Sequence, residues 1–276
     1  MNTPVDDRET NQQDNTRPLA YATGLARQKR MRVLLLAGTA EARHISYALT
    51  RESNIILTVS LARPERIPYK YGWPVRIGGW GGYDAFRQYL ESEQIDAVID
   101  ATHPFADKMG HRTAKAVKEL GIEAIRFMRP AWMPSAVDNW TFLNSAEEAA
   151  NNIPENAAVF LATGRRDLKS FENLAPRRVI CRIKEAPDDP IPLANAEYHV
   201  ARNLVSVDQE ISIFETFGVD WLVTRNSGGQ GSWPKLEAAR TLGLPVAMIR
   251  RPPPADLLKI NSVAETLNWI KRRRYA

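Results

Sequence analysis

From Met31 onward, short apolar runs alternate with longer segments whose apolar residues recur at helical spacing. Val33-Leu34-Leu35-Leu36 is apolar throughout, the pattern of a strand buried on both faces of a parallel sheet. Ala42, Ile45, Ala48 and Leu49 fall on one face of the helix predicted over 41–51. Strands follow over 55–61, at Arg76-Ile77, over 97–100 and over 122–127. Helices are predicted over 83–93 and from about Ala106 to Leu120, where Gly121 can take the left-handed conformation that ends a helix. Strand–helix alternation of this regularity predicts a parallel, doubly wound sheet.

Arg129-Pro130 and Trp132-Met133-Pro134 interrupt the pattern and read as a crossover. A second series begins beyond them, with helices over 146–151, 168–174, 207–217, 233–242 and 263–273. Its strands are expected over 157–162, 179–184, 197–201, 221–224 and 246–250, with a Pro-rich loop over 187–192. The prediction is an α/β protein of two parallel-sheet domains, 31–130 and 131–276, with a cleft between them. Residues 1–30 are rich in Asn, Gln, Asp and Thr and lack any apolar periodicity, which predicts a disordered extension. They also lack the long apolar core of a secretory signal.

Composition narrows the classes of function. The 276 residues are 44% hydrophobic and 25% charged, as in an ordinary globular protein. No apolar run approaches the roughly 18 residues a membrane span needs. Cys181 is the single cysteine and lies in a strand pattern, so an internal disulfide and a multi-cysteine metal site are excluded. These features point to the cytoplasm and to no membrane partner. The net charge of +5 is spread over Arg165-Arg166, Arg177-Arg178, Arg250-Arg251 and Lys271 to Arg274. No helix-turn-helix, zinc or aromatic-interleaved motif accompanies these runs, so no nucleic-acid partner is expected. Separated arginines suit a pocket for an anionic small molecule and, equally, solvated surface.

Ligands of open α/β sheets bind at the carboxyl ends of strands, and the unusual residues collect there. The first strand ends in Gly38-Thr39, followed by Glu41. A glycine lets backbone approach a phosphate, and the next helix start favours an anion. The full glycine fingerprint is absent, and taken alone the turn fits a structural connection as well as a nucleotide site. The second strand ends at Ser60-Leu61-Ala62-Arg63 with no acid before Glu65, which favours NADP(H) over NAD if a dinucleotide binds. The alternative is that Ser60 caps a turn and Arg63 is solvated. Other strand ends carry the Gly78–Gly82 cluster, Thr102-His103-Pro104, Thr163-Gly164-Arg165 and Arg225–Gly231. His103 has no second His or Cys partner for a metal and is expected to hydrogen-bond the backbone or line the nucleotide pocket rather than act as an acid. Asp100 is expected to satisfy loop N–H groups. Arg165, Arg225 and Lys235 are cations on or beside glycine-containing loops and suit carboxylates or phosphates. Ser227 lacks a nucleophile-elbow sequence, which argues against a serine hydrolase. Trp73, Trp80, Trp132 and Trp233 lie near loops, where packing is the default role and a wall for a large conjugated ligand the alternative.

Leu35-Leu36-Ala37-Gly38-Thr39-Ala40-Glu41-Ala42-Arg43, Asp100-Ala101-Thr102-His103-Pro104-Phe105-Ala106 and Thr163-Gly164-Arg165 stand in a set order. Thr224-Arg225-Asn226-Ser227-Gly228-Gly229, Lys235, Ala238-Ala239-Arg240 and Leu244-Pro245-Val246 complete the set. Together, over about residues 31–272, they resemble the precorrin-6A reductases of cobalamin biosynthesis. Ala37-Gly38 departs from the Gly-Gly expected there. The resemblance implies two Rossmann-like domains with NADPH between them, and reduction of one double bond of the precorrin-6A macrocycle to give precorrin-6B. Carried over by position, it implies Gly38, Thr39, Glu41, Ser60, Arg63, Thr102 and His103 as cofactor residues. Arg165, Arg225, Ser227 and Lys235 would face a tetrapyrrole substrate, largely from their loop positions. No catalytic acid is identified, no metal is expected, and a monomer is anticipated. The alternatives are the same reduction on cobalt-precorrin-6A and a dinucleotide-binding regulatory module without turnover.

Overall fold

The computed structural model describes residues 30–64, 69–185, 189–201 and 205–273. The extension expected over 1–30 lies outside the described residues except for Arg30, as do Pro187 and Asp188 of the Pro-rich loop. The first series of elements is β1 (Met31–Leu36), α1 (Ala40–Leu49), β2 (Ile55–Leu61), β3 (Val75–Ile77), α2 (Tyr83–Ser92), β4 (Ala97–Asp100), α3 (Asp107–Leu120) and β5 (Glu123–Phe127). The second is β6 (Trp140–Leu143), α4 (Ala149–Asn152), β7 (Ala158–Leu161), β8 (Arg178–Ile183), β9 (Ala196–Val200), α5 (Val207–Phe217), β10 (Trp221–Arg225), α6 (Pro234–Thr241) and β11 (Val246–Ile249). The chain ends in β12 (Leu258–Ile260) and α7 (Val263–Arg273).

The strands form two six-stranded sheets, in the orders β12-β5-β4-β1-β2-β3 and β6-β11-β10-β7-β8-β9. Every pairing is parallel. Successive residues of β1 serve opposite faces. Val33 and Leu35 pack with α1 and α7, whereas Leu34 and Leu36 pack with Phe86, Leu90 and Val117 of α2 and α3. This double burial is why β1 reads as an unbroken apolar run. Thr39 starts α1 by accepting the Ala42 N–H, and Gly121 ends α3 at φ 65°, as its place in the sequence anticipates.

Three expectations are corrected. A second domain over 131–276 does not hold at its end: β12 pairs with β5, and Trp269 and Ile270 of α7 join the core beneath β1. A three-residue strand has no readable period, and an amphipathic helix does not state which sheet it covers. The segment 168–174 is two short 3₁₀ turns joined by a kink at Phe171, with Leu168, Phe171 and Leu174 buried. The helix expected over 146–151 is reduced to the single turn α4, and β6 is an added strand at the edge of the second sheet.

Candidate functional site

In each sheet the chain order reverses once, between β1 and β4 in the first and between β7 and β10 in the second. Loops diverge at such a reversal and leave a crevice at the strand ends. In the first sheet the two loops remain in touch. Thr39 Oγ1 donates to the Ala101 carbonyl at 3.0 Å, and the Cα of Gly38 faces Thr102 and the His103 amide, about where a Cβ would find 3.8 Å of clearance. Gly38 itself is exposed at the crevice.

The loop after β4 is held from below. Asp100 is fully buried, accepts both the Thr102 amide (3.0 Å) and its hydroxyl (2.6 Å) on Oδ1, and takes Arg126 Nη1 at 2.8 Å on Oδ2. This is the satisfied loop carboxylate that the sequence suggests, with a buried cation that the sequence does not reveal. His103 Nδ1 accepts the Phe105 amide at 3.2 Å, so the neutral ring carries its proton on Nε2. Burial, and after it the positive charges of Arg129, Arg225, Arg251 and Arg166, push the His103 pKa down to about 4. At neutral pH the imidazole is an uncharged donor.

The crevice of the second sheet meets that of the first. Phe105 packs against the second domain's core, and the Arg225 guanidinium lies 5.3 Å over its ring while pairing with Asp167. The crossover is bolted to the loop after β10. Asn226 Oδ1 accepts the Trp132 amide at 2.8 Å and its Nδ2 donates to the Trp132 carbonyl at 2.9 Å. Arg251 donates to the carbonyls of Asn226 and Arg129, each at 2.8 Å. Arg129 donates to the Ser227 carbonyl at 2.6 Å and pairs with Glu41 at 3.1 Å. Gly228, at φ 66°, can carry no side chain, because a Cβ there would lie 2.2 Å from the Pro130 carbonyl.

Gly38, Thr39, Thr102 and His103 are therefore brought together, with Arg225 and Ser227 across from them. Glu41 stands in the first turn of α1, engaged by Arg129. Ser60 is buried at the end of β2 and Arg63 lies exposed beyond it. The register sets Ser60 beside Arg76, whose guanidinium stacks 3.6 Å from the Trp80 ring and donates to the carbonyls of Gly78 and Gly79 at 2.6 Å. Arg165 is exposed and lies 3.9 Å from exposed Asp189. Lys235 does not face the cleft. It projects from the buried side of α6, donates to the Ser232 carbonyl at 2.6 Å and sits 4.9 Å from the Trp132 ring, where burial lowers its pKa to about 7. Burial likewise pushes the Cys181 thiol up to about 12, which leaves it no nucleophile. Among the described residues no group of three or more His, Cys, Asp or Glu could hold a metal ion, and no helix is long and apolar enough to cross a membrane. Arg126, Arg129, Asn226 and Arg251 were missed in sequence, because each acts on a partner 25 to 98 residues away.

Residues 32–271 match the model of a family described as "Precorrin-6x reductase CbiJ/CobK". The chain is 34% identical over 240 residues to a precorrin-6A reductase of Sinorhizobium sp, covering 87% of this chain and 92% of that one. It is 36% identical to a precorrin-6A reductase of Mycobacterium tuberculosis, over 87% of this chain and 97% of that one. A cobalt-precorrin-6A reductase of Priestia megaterium is 29% identical, over 80% and 90% of the two chains. The solved structure of CobK precorrin-6A reductase superimposes with a TM-score of 0.81 at 32% identity, covering 88% of this chain and 97% of that one.

Proposed function

The chain belongs to the precorrin-6x reductase family, oxidoreductases of cobalamin biosynthesis, and on that basis we propose that it reduces metal-free precorrin-6A to precorrin-6B with NADPH. The observation that carries the reading is the meeting of two strand-end crevices. One is lined by Gly38, Thr39, Thr102 and His103, the other by Arg225 and the Ser227–Gly229 loop. Greater identity to precorrin-6A reductases than to the cobalt-precorrin-6A reductase of Priestia megaterium favours the metal-free substrate.

The chain's own residues suit a phosphorylated dinucleotide. Gly38 leaves room for backbone approach, and α1 turns its positive end toward the crevice. β2 ends in Ser60-Leu61 with Arg63 beyond and carries no acid for a free ribose hydroxyl, which supports NADPH over NADH. Bound there, the nicotinamide would supply the hydride. Phe105 and Trp132 exclude water at the junction, and Arg225, held by Asp167 over the Phe105 ring, would meet a substrate carboxylate by sharing or exchanging that partner. His103, neutral, offers an Nε2–H to orient a polar group rather than a proton to transfer. The proton that completes the reduction needs no protein acid, since water or a substrate carboxyl would serve. A cytoplasmic enzyme working on a polycarboxylate tetrapyrrole fits these features.

The test is to mix purified protein with metal-free precorrin-6A and follow loss of nicotinamide absorbance, with NADH and cobalt-precorrin-6A in parallel. Stoichiometric NADPH oxidation with the metal-free substrate is expected. Turnover with the cobalt form alone would change the pathway, and NADPH binding without oxidation of either would overturn the reductase reading.

A further inference from the structure

Glu41 poses a difficulty for an anion at the start of α1. It is the second residue of a ten-residue helix, two after the Thr39 cap, and so places a negative charge in the first turn, beside the positive end that a diphosphate would use. Left unpaired in a half-buried crevice, it would repel a phosphorylated ligand. Arg129 approaches it from the crossover, with Nη1 3.1 and 3.3 Å from the two carboxylate oxygens. Both side chains are largely withdrawn from solvent, 17% and 22% exposed, so the charge is cancelled where screening by water is weak.

Arg129 is also fixed from the other domain. Its Nε donates to the Ser227 carbonyl at 2.6 Å, and its own carbonyl accepts Arg251 Nη1 at 2.8 Å. A Cβ on Gly229 would fall 2.9 Å from Arg129 Cδ, and one on Gly228 3.3 Å from Cγ. Gly229 is thus shaped around this side chain, while Gly228 makes room chiefly for the Pro130 carbonyl and Arg251, and Arg129 joins the two crevices.

We propose that Arg129 is a positioning residue that neutralises Glu41, so that the α1 terminus accepts the phosphates of the cofactor, and that registers this terminus against the Ser227–Gly229 loop. The inference rests on the reading that a phosphorylated dinucleotide binds at α1. Its signature is dependence on charge rather than on shape.

The measurement is NADPH affinity, by titration calorimetry on the full chain, for wild type, Arg129→Gln, Arg129→Lys and the double variant Glu41→Gln/Arg129→Gln. Glutamine keeps a donor for the Ser227 carbonyl and loses the charge; lysine keeps the charge and loses the planar fork. Arg129→Gln is expected to weaken NADPH binding about 10-fold or more, from one uncompensated charge at close range. Arg129→Lys and the double variant are each expected within about threefold of wild type. If Arg129→Gln binds normally, or if the double variant binds no better than Arg129→Gln, the proposal is overturned. Should Arg129→Gln fail to fold, Arg129→Lys decides, since a loss there as large as 10-fold contradicts a charge-based role. Wild type that binds no NADPH at all would instead overturn the cofactor reading, and this inference with it.

Discussion

Gly110 lies in the first turns of α3 with the Arg126 guanidinium laid across it, so Gly110→Ala sets two opposing effects against each other. Alanine is the better helix former by about 1 kcal/mol. Its Cβ, however, would stand 1.8 Å from Arg126 Nη1 and 2.9 Å from Cζ, with Ala255 Cβ 3.4 Å away on the same site. The guanidinium would have to leave Asp100, and both side chains of that pair are buried, 2% and 0% exposed. Removing one partner of a buried ion pair costs about 3–5 kcal/mol, because the other charge remains without compensation. The clash wins, for a net loss of about 2–4 kcal/mol and a melting temperature roughly 5–15 °C lower for a chain of this size. Thermal unfolding followed by circular dichroism reads the effect. Since Asp100 also holds Thr102, the NADPH KM is expected to rise in parallel. In an Arg126→Ala background the obstacle is gone, and the same substitution should be neutral or stabilising by the helix term alone. A Gly110→Ala protein as stable as wild type would refute the steric account.

Arg63→Ala should raise the NADPH KM and narrow the preference over NADH, as read by steady-state kinetics with both cofactors; unchanged discrimination would transfer the 2′-phosphate to Arg76, which lies beside Ser60. His103→Ala should cost less than about tenfold in kcat, because a ring with its pKa near 4 is no proton donor at neutral pH; a loss of around 10³-fold with the fold intact would make it a general acid. For Lys235, burial lowers the folded pKa from 10.5 to about 7, so between these values the unfolded chain binds more protons and stability rises with pH. Lys235→Met should remove that component of the slope in urea unfolding between pH 7 and 10, and a slope identical to wild type would count against a buried, uncharged amine at Lys235.

Sequence and tertiary structure divided the problem unevenly. Local pattern was enough for β1, α1, β2, α2, β4, α3 and β5, because double burial writes an apolar run and an amphipathic helix writes a 3.6-residue period. The same locality made Gly38-Thr39 and Asp100–Ala106 legible as loops at strand ends. It could not deliver β12 to the first sheet, since three residues carry no period and pairing with β5 is a contact across 133 residues at Ile125 and Leu258. Nor could it separate Arg225, half-buried over Phe105, from Arg165, which is exposed, or show Lys235 sealed beneath Trp132. The pairs Asp100–Arg126 and Glu41–Arg129 exist only once the strands are in register. A charge's role depends on its burial and its partner, and both are properties of the folded chain.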